Sequence, residues 1–173
     1  SYGLTYYTAH RMLVDRAKVQ PGEVVLVWGA AGGLGVFAVQ LAAAMGARPI
    51  AVVSSDDKAE LCLRLGAVGV INRAEFPALH FRDDMSAAEQ AAHGRAIRAF
   101  GERIWQILGE RTGPDVVFEH VGKSTFPASV FLANRYGRIV ICGATTGYQL
   151  TFDVRHLWMR QKQIIGSHFA DAD

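Results

Sequence analysis

The stretch that most constrains this chain is Val24-Val25-Leu26-Val27-Trp28-Gly29-Ala30-Ala31-Gly32-Gly33-Leu34-Gly35-Val36-Phe37-Ala38-Val39-Gln40-Leu41. It opens with an apolar, β-branched run, as a strand buried on both faces of a parallel sheet requires. A glycine-rich turn follows, and then Leu34, Phe37, Ala38 and Leu41 recur at helical spacing. Strand, glycine turn and helix in that order form the front half of a dinucleotide-binding βαβ unit. The first N–H groups of a helix have no partner within it, and the helix dipole places partial positive charge there, so a diphosphate can be held by Ala31, Gly32, Gly33 and Leu34. Gly32 leaves no Cβ between backbone and phosphate, and Gly35 lets the helix pack close to the sheet. Ala30 takes the place of the first glycine of the usual G-x-G-x-x-G pattern, giving A-x-G-x-x-G.

The same alternation continues along the chain. Residues 4–17 read as an amphipathic helix, and Pro21-Gly22 as the turn that launches the first strand. Gly46 closes the first crossover helix, 49–53 is a second strand, a helix covers 57–65 and 68–71 is a third strand. Over 73–94 both helical and strand periods fail, and the length exceeds an ordinary connection. An insertion with a short helix near 86–92 is expected there. Periodicity returns at Ile97, Ile104, Ile107 and Leu108, the next crossover helix. Strands follow at 115–119, 137–142 and 164–169, with a helix over 123–132. Strands alternating with helices predict an α/β fold: a Rossmann-type, doubly wound, parallel six-stranded sheet with helices on both faces.

Composition narrows the class of ligand. The 173 residues, half of them hydrophobic, suffice for one domain with a full core. Eighteen basic and sixteen acidic residues give a formal charge of +2, spread along the chain, so no nucleic-acid footprint is expected. Cys62 and Cys142 lie far apart in apolar patterns, which argues against disulfides and points to a reducing, cytoplasmic setting. No apolar run is long enough to span a bilayer. The chain lacks an initiator methionine and starts inside a helical pattern, so 1–173 is expected to be a nucleotide-binding domain of a longer protein.

The strand ends carry the chemistry. An acid at the end of the second strand would accept hydrogen bonds from the ribose hydroxyls of NAD. Ser54 and Ser55 stand there, with Lys58 one turn on, and hydroxyls with an ammonium suit the 2′-phosphate of NADP. The competing reading makes Ser54 and Ser55 helix caps and Lys58 a solvated side chain. Arg73, just past the third strand, is a further candidate for the adenosine end or else a surface arginine. His120, after the fourth strand, can touch the nicotinamide ribose or be a structural histidine. Gly143, Ala144 and Thr145 permit close approach of a nicotinamide amide. His168 stands in no triad or metal spacing, and the residues alone give it no role.

Three segments resemble the medium-chain dehydrogenase/reductase superfamily on its quinone-reductase side: Leu4-Thr5 through Ala9-His10-Arg11-Met12-Leu13, the Gly29–Gly35 turn, and Ser54-Ser55 with Lys58-Ala59-Glu60. More narrowly, Val117-Phe118-Glu119-His120-Val121-Gly122, Leu157-Trp158-Met159, Ile164-Ile165-Gly166-Ser167-His168-Phe169-Ala170 and the insertion after Asn72-Arg73 resemble the crotonyl-CoA carboxylase/reductase family. The resemblance implies an NADPH-dependent enoyl-CoA reductase whose enolate attacks carbon dioxide. It implies that His168 helps hold the carbon dioxide, that the remaining active-site residues lie in a separate substrate domain, and that the protein is a homo-oligomer. It also implies metal-free chemistry and makes Ala30 an ordinary member of the glycine turn.

Overall fold

Val24–Val27 form β1, and all four residues are fully buried. Side chains alternate across a strand, so this one segment feeds two cores. Val25 and Val27 pack with Met12, Leu13, Val39 and Phe118 on one face of the sheet. Val24 and Leu26 pack with Phe100, Ile104, Phe126 and Ile139 on the other. A strand with no solvent face needs an unbroken apolar run, which is what the sequence supplies.

The structure, a computed structural model, describes residues 2–168. β1 pairs in parallel with β2 (Arg48–Val53) and β4 (Val116–Glu119), with Val27 opposite both Ala51 and Phe118. β3 (Gly69–Asn72) lies outside β2, and β5 (Arg138–Ile141) then β6 (Gln163–Gly166) lie outside β4. The order is β3-β2-β1-β4-β5-β6, entirely parallel, so the six-stranded doubly wound expectation holds. The winding reverses between β1 and β4, and in open α/β sheets the ligand crevice lies beyond the carboxyl ends of the strands at that switch point. Helices α1 (Tyr2–His10) and α2 (Gly33–Ala44) cover one face, while α4 (Ala87–Leu108) and α5 (Phe126–Leu132) cover the other.

Several boundaries differ from the sequence reading, each for a local reason. The first helix changes after His10 to a π-helical stretch, Arg11–Arg16, whose wider turns bring both Met12 and Leu13 to zero exposure. Leu4 and Tyr7, in the first turns of this expected amphipathic helix, are exposed. The helix expected over 57–65 starts as a 3₁₀ turn, Asp56–Lys58, and continues as α3, Ala59–Arg64. The separate short helix expected near 86–92 does not form. Those residues are the first turns of the single 22-residue α4. A capping box starts it: Ser86 Oγ accepts the Glu89 N–H, and the Glu89 carboxylate accepts the Ser86 N–H. Gly109, at φ +73°, ends it in the left-handed conformation that glycine adopts without strain. Residues 73–86 hold two 3₁₀ turns, Arg73–Glu75 and Pro77–Leu79, whose three-residue repeat matches neither period sought. A four-residue helix, α6 (Arg155–Trp158), precedes β6 and had no counterpart in the sequence reading. The sixth strand ends at Gly166, and Phe169, Ala170 and the last three residues lie outside the described residues.

Candidate cofactor site

The crevice begins where β1 ends. Gly29 turns the chain at φ +58°, and a Cβ there would stand 2.9 Å from His120 Cε1. Gly35 lies still closer to the turn: its Cβ would fall 2.2 Å from Gly29 O and 2.6 Å from Ala30 Cα. The first turn of α2 therefore rests directly on the glycine turn. Gly32 precedes α2 in extended conformation with no side-chain cap. The N–H groups of Gly33, Leu34 and Gly35 have no acceptor within the helix, and no side-chain cap closes it among the described residues. A twelve-residue helix opening this way at the switch point fits a diphosphate.

Beyond β2, Lys58 Nζ donates to Ser54 Oγ at 3.0 Å, so two of the three predicted phosphate-binding groups are already together. Ser55 occupies the N-cap position in extended conformation, but its hydroxyl makes no capping bond. Its expected alternative as a side-chain cap is not what forms. Asp56 accepts from Asn72 Nδ2 at 2.9 Å, and Asn72 Oδ1 accepts the Ala74 N–H, which fixes the turn that carries Arg73. Ser54 and Arg73 line one cavity of about 280 Å³, together with Trp28, Phe76, His80 and Thr125. Sequence placed these residues at separate strand ends; the fold gives them a common space.

Beyond β4, His120 Nε2 lies 2.8 Å from Trp28 O. A carbonyl only accepts, so Nε2 carries the hydrogen, and the imidazole braces the start of the glycine turn. The structural reading of His120 thus has a direct geometric basis. Two loops are stitched side by side here. Thr145 N–H donates to His120 O at 3.2 Å, Thr146 N–H to Val121 O at 2.8 Å, and Ser124 N–H to Thr146 Oγ1 at 3.0 Å. Gly122, at φ +87°, presses on Ala144, where a Cβ would meet Ala144 Cβ at 2.5 Å. Gly143 in contrast faces open space. His168 is exposed, two residues past β6, where the Ser167 N–H donates to Ile141 O and keeps the chain alongside β5.

One residue the sequence reading passed over is Glu119, the last of β4. It is fully buried and accepts from Val121 and Gly122 N–H, Thr125 Oγ1 and Ser129 Oγ. The available signal was a carboxylate closing an otherwise apolar strand, with hydroxyl residues on the helix that follows. Cys142, at the end of β5, is pushed up to about 11, chiefly by burial and partly by the Glu119 charge. A larger cavity, about 540 Å³, is lined by Trp105, Arg111, Phe131, Asn134, His156 and Lys162 among others. It lies toward the amino ends of the strands, and none of the predicted site residues lines it.

A parallel sheet of this order, with an uncapped helix start at its switch point and loops gathered at one edge, has the architecture of a dinucleotide-binding domain of dehydrogenase/reductase type. The chain belongs to the family described as zinc-binding dehydrogenase, whose profile matches residues 33–173. A crotonyl-CoA carboxylase/reductase from Cereibacter sphaeroides is 45% identical over 98% of this chain and 40% of its own length. Crotonyl-CoA carboxylase/reductase AntE, solved in complex with NADP, superposes with a TM-score of 0.90 at 46% identity, over 98% of this chain and 42% of that one. The 2-octenoyl-CoA carboxylase reductase CinF, solved with NADP and 2-octenoyl-CoA, gives a TM-score of 0.83 at 44% identity, over 95% and 36%. The chain thus spans about two-fifths of the relatives it matches. Although the family's description includes zinc, no three His, Cys, Asp or Glu side chains among the described residues come together as a metal site. Among the same residues no helix is long and apolar enough to cross a membrane.

Proposed function

We propose that residues 1–173 are the NADP-binding domain of an NADPH-dependent enoyl-CoA reductase that carboxylates the enolate it forms. The observation that carries the cofactor choice is the gathering of Ser54, Lys58 and Arg73 at the ends of β2 and β3, with Ser54 and Arg73 on one cavity. Hydroxyl, ammonium and guanidinium all suit a phosphate dianion, and Asp56 is engaged with Asn72. The 46% identity to NADP-bound AntE over nearly the whole chain supports the same choice.

In this reading Ala31, Gly32, Gly33 and Leu34 hold the diphosphate, and Ser54, Ser55, Lys58 and Arg73 the 2′-phosphate. His120 borders the nicotinamide ribose, and Gly143, Ala144 and Thr145 offer backbone and hydroxyl groups to the amide. When bound, NADPH supplies the hydride that reduces the β-carbon of the enoyl-CoA. The α-carbon of the resulting enolate then bonds to carbon dioxide. His168 donates a hydrogen bond to the oxygen that gains negative charge as that bond forms. With crotonyl-CoA the product is ethylmalonyl-CoA, and a longer enoyl-CoA gives the corresponding homologue. The working protein is a cytoplasmic homo-oligomer whose acyl pocket lies outside this chain.

Assay of the intact protein with crotonyl-CoA, NADPH and bicarbonate is expected to yield the carboxylated product, and His168→Asn to shift the product toward saturated acyl-CoA. Formation of only the saturated product at high carbon dioxide would make it a simple enoyl-CoA reductase, and an unchanged product ratio in H168N would remove His168 from the reaction. For the cofactor, Ser54→Asp is expected to weaken NADPH binding about a hundredfold while sparing NADH, because a carboxylate repels the phosphate and accepts ribose hydroxyls instead. Equal loss for both dinucleotides would detach Ser54 from the 2′-phosphate.

A further inference from the structure

Glu119 closes β4 beside β1, at the point where the order of the sheet reverses. Among the described residues, none of the partners of its buried carboxylate is a cation. The Trp28 Nε1–H can only donate, and it does so to Ser129 Oγ at 2.8 Å. That leaves the Ser129 hydrogen for Glu119 Oε2, 2.5 Å away. The Val121 and Gly122 N–H groups donate to Oε1 at 2.9 and 3.1 Å, and cannot turn round. Thr125 Oγ1 stands 2.9 and 3.0 Å from the two oxygens. Burial is the largest influence and raises the pKa of this carboxyl above its ordinary value, and these four donors offset it in part. Four donors around one carboxyl, two of them backbone N–H groups that cannot reverse, favour its ionised form against the effect of burial, the more so above neutral pH.

The charge sits under the loops that border the nicotinamide in the reading above. It anchors Val121 and Gly122 directly, these are stitched to 144–146, and its field reaches Cys142 at the end of β5. A nicotinamide ring is neutral when reduced and carries one positive charge once its hydride has left. We propose that Glu119 is a fixed negative charge beneath the nicotinamide end of the crevice, favouring the oxidised over the reduced cofactor and so favouring hydride donation. This rests on the dinucleotide reading. Glu119 touches neither substrate nor cofactor; it acts through the low-dielectric wall and through the loops it holds.

Affinity for the two redox forms separates this role from a purely structural one. The dissociation constants of NADP⁺ and NADPH are measured by titration on the intact protein above neutral pH, with folding followed by circular dichroism. Glu119→Gln and the apolar Glu119→Met both remove the charge, so one folded variant suffices. Either is expected to weaken NADP⁺ relative to NADPH by about fivefold to tenfold, the size of a single charge acting through partly screened protein. Thr125→Val, which loosens the shell but keeps the charge, is expected to move both constants together and leave their ratio unchanged. An unchanged ratio in the charge-removed variants, with both forms still bound, would overturn the proposal and leave Glu119 as a brace. Failure of the unaltered protein to bind either form would overturn the dinucleotide reading and this proposal with it.

Discussion

Replacing Gly35 with alanine is expected to destabilise the domain by about 3 kcal/mol and to weaken dinucleotide binding about a hundredfold. The added methyl would occupy a point 2.2 Å from Gly29 O, 2.6 Å from Ala30 Cα and 2.8 Å from Ala30 C. All three are backbone atoms of a turn with no freedom to yield. Ala30 N–H is tied to Val52 O and Gly32 N–H to Gly29 O, and Trp28 O is braced by His120. Either α2 lifts off the turn, opening the core around Ala38 and Val39, or the turn is pushed into the crevice. Urea denaturation and cofactor titration measure the two losses. Gly33→Ala is the control, since among the described residues a Cβ there meets only Thr5 Cγ2, at 4.0 Å. It is expected to keep the fold's stability, so any loss of binding in that variant comes from the methyl standing where the diphosphate approaches. Full stability in G35A would mean that α2 does not need this close approach.

The second large effect is expected far from the crevice. Arg138 opens β5 and grips Glu23 with both ends of its guanidinium, at 2.7 and 2.8 Å, while its Nε donates to Ala17 O at 3.0 Å. One side chain thus ties β5 to the turn before β1 and to the end of the first helix. The side chains are 18% and 20% exposed, so little water screens the pair. Arg138→Met is expected to cost about 3 kcal/mol, because it leaves the Glu23 carboxylate half-buried without its partner. The pair also sets an acid limb. Arg138 holds the Glu23 carboxyl below its ordinary 4.5, the hydrogen bonds outweighing the opposing effect of burial. In the unfolded chain Glu23 titrates near that ordinary value, so the contribution is complete above it and fades as pH falls through the lower folded value. Stability measured against pH is expected to show this decline in the unaltered protein and a shallower one in R138M. Parallel curves would mean that the pair is energetically neutral.

How far sequence reached depended on how local each cause was. The 24–41 stretch announced itself because a strand buried on both faces and a glycine turn write their requirements into adjacent residues. The start of α4 was harder. Between Ala87 and Ile97 only His93 is buried, so the helical period has almost nothing apolar to display, and the legible signal was the Ser86–Glu89 capping box. The candidate site divides in the same way. Ala31 to Leu34, Ser54, Lys58 and Arg73 could be named from strand ends, but that Ser54 and Arg73 share a cavity follows from the β3-β2-β1 order and the bond from Asn72 to Asp56. Glu119 escaped notice because its shell is assembled from a strand, a loop and a helix, with Trp28 joining through Ser129, 101 positions away. His168 had no local signature at all, and its proposed role comes from family resemblance.

The reversal of strand order between β1 and β4 also separates two design problems. The groups proposed to read the cofactor's phosphate hang on β2 and β3, on one flank of β1, whereas Glu119, His120, Gly143 and His168 hang on β4, β5 and β6, on the other. The flanks are joined by the glycine turn and by the cavity that Ser54 and Arg73 share with Thr125. On the proposed reading, electron-donor preference can therefore be rewritten at Ser54 and Lys58 while the edge assigned to the carbon chemistry stays as it is.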